Sequence, residues 1–302
     1  MKKIFAIILA IFIPTYHLFG CDVCGGGSLN TNSNLGYINT LQKPFLMFSH
    51  QRMNFQSTFF EDFILDKISI SQLQYNWIPQ NNVILSASAN IKSLSRTISG
   101  PSQGNFSYVE LGDVQFNSNF KIYDNRDSVF QLHKHLCYFG TSIKLPSGKY
   151  QIRDHTKQII PLNQQPGNGA YGISFSTFYA YKNPKFGVNV NSKVTFFTEN
   201  ELNYKNGSQY TFSLGIFKPF KVNKTLIIPQ FALNYEYLTT DSEFKEELPT
   251  TGNQIKILNS QIEILHDNLI ITAGYHLILE QLNLLNNQKI SNRLNLGFGW
   301  IF

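Results

Sequence analysis

Leu294-Asn295-Leu296-Gly297-Phe298-Gly299-Trp300-Ile301-Phe302 closes the chain. Leu, Leu, Phe, Trp and Phe fall at every second position. A strand turns successive side chains to opposite faces, so this stretch is a strand with one wholly apolar face. The same period recurs upstream. In 112–123, Val114, Phe116, Phe120 and Ile122 alternate with Asp113, Gln115, Asn117, Asn119 and Lys121. In 169–181, Tyr171, Ile173, Phe175, Tyr179 and Tyr181 alternate with small residues, and in 186–196 Val188, Val190, Val194 and Phe196 alternate with Asn189, Asn191 and Lys193. No helical stripe is sustained to a comparable extent.

Turn residues set the spacing. Short connections at 79–82, 124–127, 182–185, 221–224 and 266–268 alternate with longer ones near 56–67, 99–107, 146–169, 199–208, 238–253 and 280–291. This predicts about twelve strands, at 43–55, 68–78, 83–98, 108–123, 129–145, 170–181, 186–197, 209–219, 225–237, 254–265, 269–279 and 292–302. An even strand count with short turns at one end and long loops at the other is the organisation of a bacterial outer-membrane barrel. A soluble sandwich shares the period but has no need of that alternation. The expected fold is all-β, a transmembrane antiparallel barrel. Residues Leu294, Leu296, Phe298, Trp300 and Phe302 also resemble the C-terminal signal read by the barrel-assembly machinery, which marks that machinery and outer-membrane lipid as expected partners.

Composition agrees. Charged residues make up 15% of the chain and aromatics 14%, while Asn occurs 31 times against 19 for Asp and Glu together. Apolar side chains suit hydrocarbon outside, and uncharged polar ones suit water inside. In lipid every backbone N–H and C=O must be paired internally, which a closed sheet achieves without an edge. Phe45, Trp77, Tyr123, Phe186, Phe220 and Trp300 lie at strand ends and are expected to form an interfacial girdle. The net charge of +6 is spread without a block of like charges, so no nucleic-acid partner is expected.

Lys2 and Lys3 precede an apolar run from Ile4 to Ile13, too short to span a bilayer as a helix. Residues 1–20 are read as a signal peptide, 21–42 as a periplasmic N-terminal segment or plug, and 43–302 as the barrel. The location that follows is the outer membrane of a Gram-negative cell, with a periplasmic N-terminus.

Two constellations carry reactive side chains. Cys21 and Cys24 form a Cys-x-x-Cys at the start of the mature chain. A local disulfide, a metal-capturing terminus and lipidation of Cys21 all remain open. His133, His135 and Cys137 share one strand face, a weak soft-metal pattern. That face continues with Phe139 and Ile143, so the alternative is an interfacial histidine pair at the periplasmic rim. No His-x-Ser, P-loop, Gly-x-Gly-x-x-Gly or His-Glu-x-x-His is present, so neither an enzyme nor a cofactor is expected.

The remaining site is the lumen. Its expected lining is Gln72, Gln74, Asn76, Ser88, Asn90, Lys92, Asp113, Gln115, Asn117, Asn119, Lys121, Asn189, Asn191 and Lys193, a mostly neutral wall with a few lysines. Such a wall suits a channel for a small polar or amphipathic solute. The alternative is a non-transport barrel that captures a metal or partner through Cys21 and Cys24.

Three stretches occur in order: Leu111-Gly112-Asp113-Val114, Gly140 followed by Lys144-Leu145-Pro146-Ser147-Gly148-Lys149, and Gln165-Pro166-Gly167-Asn168-Gly169. They resemble the outer-membrane transporter family named for the meta-pathway of phenol degradation. The mature N-terminus is similar to that of Bacteroidetes members beginning Cys-Asp-Val-Cys-Gly-Cys, with Gly26 in place of the third Cys. The family name implies uptake of aromatic compounds, whereas the lumen faces read here show no aromatic-lined path.

Overall fold

A computed structural model describes residues 43–59, 61–126, 132–154, 160, 164–249, 251–282 and 289–302. Its strands are β1 (Phe45–Phe59), β2 (Asp62–Gln80), β3 (Val83–Ser99), β4 (Gly104–Leu111), β5 (Val114–Asp124) and β6 (Lys134–Leu145). They continue with β7 (Gly172–Lys182), β8 (Gly187–Phe197), β9 (Tyr204–Lys205), β10 (Gln209–Phe217), β11 (Phe220–Val222) and β12 (Thr225–Leu238). The last are β13 (Asp241–Glu243), β14 (Glu246–Leu248), β15 (Asn253–His266), β16 (Leu269–Leu282), β17 (Lys289–Ile290) and β18 (Arg293–Ile301).

Neighbouring strands pair antiparallel all the way round. β10 pairs with both β8 and β12, and β18 closes onto β1 from Phe45↔Ile301 to Arg52↔Leu294. With β4 and β5 counted as one interrupted strand, the wall is a closed barrel of twelve strands. Each predicted strand lies within or over one of these twelve. Phe302 N–H donates to Pro44 C=O at 3.0 Å, which ties the two ends of the wall together at the end that carries the short turns.

Two boundaries differ from the expected ones. The connection expected at 56–67 is mostly strand, because β1 and β2 stay paired out to Phe59↔Asp62. Thr58, Phe63 and Ile64 favour extended backbone. Asp62 accepts from the Ser102 N–H at 3.0 Å and so ties this hairpin tip to the next loop. Strand four breaks at Gly112-Asp113: β4 pairs with the outer half of β3, and β5 with the inner half and with β6. A Cβ on Gly112 would lie 1.9 Å from Asn90 Oδ1, so a larger residue at this bend must displace the Asn90 side chain, which donates to Asp113 C=O at 3.2 Å.

The outer face is apolar over its middle. Leu73, Tyr75, Trp77, Phe116, Phe175, Phe212, Leu214, Phe231 and Leu233 are all exposed. A continuous apolar surface of this kind belongs in hydrocarbon. Trp77, Tyr123, Phe186, Phe220 and Trp300 face outward at strand ends, but Phe45 points inward and is buried. On β1 the outward residues are Leu46 and Phe48, so Phe45 and Met47 take the inner face. All four are apolar, and period two does not reveal which pair faces lipid.

The barrel lumen as candidate functional site

The expected lumen residues lie on the less exposed face of their strands. Gln72, Gln74, Asn76, Ser88, Lys92, Asp113 and Asn189 are buried, and Asn90, Gln115, Asn117, Asn119, Lys121, Asn191 and Lys193 are half-buried. They cross-link along and between strands. Gln74 Nε2 donates to Asn76 Oδ1 at 3.0 Å, Gln115 Nε2 to Asn117 Oδ1 at 2.5 Å, and Asn117 Nδ2 to Ser86 Oγ at 3.0 Å. Lys121 pairs with Asp124 at 3.3 Å.

The opposite wall adds residues the sequence reading missed: Gln51, Asn259, Gln261, His276, Arg293 and Asn295, all buried and inward. Several of their polar atoms have no partner among the described residues, including both side-chain atoms of Gln51, Asn259 Oδ1, His276 Nε2 and Asn295 Oδ1. A buried polar group left dry costs roughly 1–3 kcal/mol. Inside a barrel such atoms call for water at that level of the wall. Their period-two spacing was the available signal.

The lumen is also more apolar than expected. Phe45, Met47, Phe217, Ile228, Leu265, Ile270 and Ile301 form a buried cluster at the turn-bearing end. Met53, Phe55, Ile68, Ile70, Leu94, Ile255, Ile257 and Ile290 form a second one toward the loop-bearing end, with Phe106 and Tyr108 packed against it. This layer runs round one side of the inner wall, from Leu94 on β3 through β2, β1, β17 and Ile278 on β16 to Ile257 on β15. A third cluster joins Leu136, Tyr138 and Ala180 with Phe178. Aromatic side chains therefore do line the interior, contrary to the expectation of no aromatic-lined path. The reason is visible on β2. Below Ser71 the inner residues are Gln72, Gln74 and Asn76 and the outer ones Leu73, Tyr75 and Trp77; above it Ile68 and Ile70 are buried while Lys67 is exposed. Polarity inverts with no register slip, because that part of the wall turns its outer face to water.

The described residues of the connection 146–171 reach into the loop-bearing mouth. Ile160 is fully buried, as are Gln164 and Gln165. Lys92 Nζ donates to Gln165 C=O at 2.9 Å, and Arg96 Nη2 to Gln164 Oε1 at 2.6 Å. Arg96 also holds Asp66 at 2.8 Å. The three stretches quoted above meet here. Asp113 accepts from Lys144 Nζ at 2.7 Å and from the Gly148 N–H at 2.9 Å, and Gly167 N–H donates to Lys149 C=O at 3.0 Å. Lys144 Nζ also donates to Asn168 Oδ1 at 2.8 Å. An occluding element therefore comes from mid-chain. The expected plug at 21–42 and its Cys21 and Cys24 lie outside the described residues.

The other expected sites resolve as follows. His133 Nδ1 and His135 Nδ1 hydrogen-bond the hydroxyls of Tyr181 and Tyr179 at 2.6 and 2.7 Å. Each imidazole is thus engaged by a neighbouring strand, and no metal-holding group of three forms with Cys137 among the described residues. Leu294, Leu296, Phe298, Trp300 and Phe302 are all exposed on the outer face. Strand pairing also brings His50 Nδ1 to 2.9 Å from Ser71 Oγ on the outside of the wall. No acidic group joins that pair among the described residues to orient the ring, so it lacks the third member of a catalytic relay.

No protein-family model matches the chain, and no curated protein matches its sequence. Among solved structures the fold is similar to that of an outer-membrane channel from Pseudomonas putida F1, with TM-score 0.65 and 12% identity over 87% of this chain and 96% of that one. The β domain of the Bordetella autotransporter BrkA is similar at TM-score 0.50 and 9% identity, over 86% of this chain and 100% of that one. At these identities the likeness is one of fold: both are bacterial outer-membrane barrels.

Proposed function

We propose that this chain is an outer-membrane channel or transporter that passes a small polar or amphipathic solute through its lumen. The observation that carries the proposal is a closed barrel whose inner face holds a belt of polar side chains, among them Gln51, Asn259, His276 and Asn295. A wall built only as a scaffold has no use for such groups, and a solute path needs them. The apolar layers above and below the belt favour a solute with an apolar part. That agrees with the sequence resemblance to transporters named for an aromatic-degrading pathway. The end carrying Phe302 and the short turns is the periplasmic one, and the inward loop 146–171 faces the outside. The test is reconstitution of the purified full-length protein in planar bilayers. Discrete conductance steps are expected, larger when residues 21–42 are removed. A bilayer that stays silent with both proteins sinks the proposal.

A further inference from the structure

One inner row of the wall combines an ammonium with open hydroxyls. Strand register aligns Asn119 (β5), Gly140 (β6), Ser176 (β7), Lys193 (β8) and Thr211 (β10) side by side on the lumen face. Lys193 thus stands between the hydroxyls of Ser176 and Thr211. Gly140 has no side chain, and the space a Cβ would take is filled by Asn119 Oδ1 and Ser176 Oγ, each 2.4 Å from that point.

The lumen lysines differ in their partners. Lys144 is neutralised by Asp113 at 2.7 Å, Lys121 pairs with Asp124 at 3.3 Å, and Lys92 is held by the Gln165 carbonyl at 2.9 Å. Lys193 has no acidic partner among the described residues, whereas the other three are each held by a carboxylate or a carbonyl. A lumen ammonium with no protein anion to balance it is a site for an anion from solution.

The row nearer the turns supplies the complementary feature. There Tyr138 and Phe178 are register partners, with ring centroids 6.4 Å apart, and Phe178 pairs in turn with Asn191. An apolar aromatic surface therefore lies one inward row from the ammonium.

We propose that Lys193, with the Ser176 and Thr211 hydroxyls, binds the carboxylate of an amphipathic organic anion whose apolar body rests on Tyr138 and Phe178. This deepens the channel reading and rests on it for the route by which the anion arrives. It makes Lys193 a residue that sets specificity for charge.

The test is equilibrium dialysis of radiolabelled benzoate against the detergent-solubilised full-length protein, with benzamide as the neutral isostere. Saturable benzoate binding is expected, roughly tenfold or more tighter than that of benzamide, since a charge-assisted contact is at stake. Lys193→Gln should weaken benzoate binding by a similar factor and Lys193→Arg should keep it, with the exposed turn variant Lys185→Gln unchanged. Heat-modifiable migration on gels confirms that each variant is folded. No saturable binding, equal binding of benzamide, chloride competing as well as benzoate, or an unaffected Lys193→Gln each overturns the site. Benzoate binding with silent bilayers overturns the channel reading alone, and conductance without benzoate binding overturns the site alone.

Discussion

Arg96 and Asp66 are register partners on β3 and β2, and they close two hydrogen bonds of 2.8 and 2.9 Å while both are almost wholly buried. The same guanidinium reaches Gln164 at 2.6 Å, so one ion pair both staples the wall and latches the inward loop. Breaking one partner of a buried pair leaves the other charge uncompensated, at about 3–5 kcal/mol. Arg96→Met is therefore expected to lower the temperature of the heat-modifiability transition and to raise conductance by releasing the loop. Arg96→Met with Asp66→Leu should recover much of the stability but not the closed loop. A single variant as stable as wild type would show that the latch contributes nothing.

The seat of the loop is steric as well as electrostatic. A Cβ on Gly167 would stand 2.4 Å from the Gly148 carbonyl oxygen, and one on Gly148 2.8 Å from the Gly112 carbonyl carbon. Backbone atoms cannot swing aside, so Gly167→Ala and Gly148→Ala should each unseat the loop. The expected readout is faster tryptic cleavage at Lys149 and Arg153, with the barrel itself still heat-modifiable.

The outward face sets a test of membrane embedding. Leu233 is exposed at mid-strand on β12, beside Leu214. Leu233→Arg places a charge in hydrocarbon at a cost of roughly 2–4 kcal/mol. Urea unfolding in liposomes should show that loss, while the inward Asn234→Arg should be far milder. Equal effects at the two positions would contradict the assignment of faces.

The apolar layer that runs along the inner wall from Leu94 on β3 to Ile257 on β15 is expected to narrow the bore and limit permeation. Ile257→Ser should increase single-channel conductance and decrease stability by about 2–5 kcal/mol, the range for truncating a buried aliphatic side chain. Conductance unchanged from wild type would locate the constriction elsewhere.

Much of the fold was legible because strand period and turn residues are local signals. All twelve wall strands were found, as was the lipid face wherever one side is apolar and the other polar, as in Phe116 against Gln115 and Asn117. The face assignment failed where that contrast vanishes or reverses. Phe45 to Phe48 are apolar throughout, and at Ile68 and Ile70 the buried side is the inner one because the outer one meets water. Half the lumen was legible in the same way. The convergence of Asp113, Lys144, Gly148 and Asn168 was visible only as three separate motifs, since nothing local states that residues so far apart in sequence share hydrogen bonds.

Outside the wall, the small sheet of β9, β13 and β14 carries a titratable anchor. Asp241 accepts from Gly207 N–H at 2.5 Å and from the Tyr204 hydroxyl. Burial pushes its carboxyl above the ordinary value, against the downward pull of those two donors. The folded state therefore keeps the proton to higher pH than the unfolded chain does. Its contribution is full below the ordinary carboxylate pKa of about 3.9 and is lost as pH rises through the raised folded value. Hydrogen exchange in 239–249, corrected for intrinsic rate, should show less protection on going from pH 4 to pH 7. Asp241→Asn should flatten that dependence.

The inversion of polarity on β2 has a consequence for the lipid itself. The uninterrupted run of outward apolar side chains covers Leu73 to Trp77 there, but Ile271 to Leu279 on β16. At about 3.3 Å per residue those stretches measure about 13 Å and about 26 Å along the strand. A bilayer that matches both flanks cannot have one thickness, and hydrophobic mismatch is relieved by thinning or tilt. The barrel thus imposes a gradient on its surroundings, with the leaflet compressed beside β2 and relaxed beside β16.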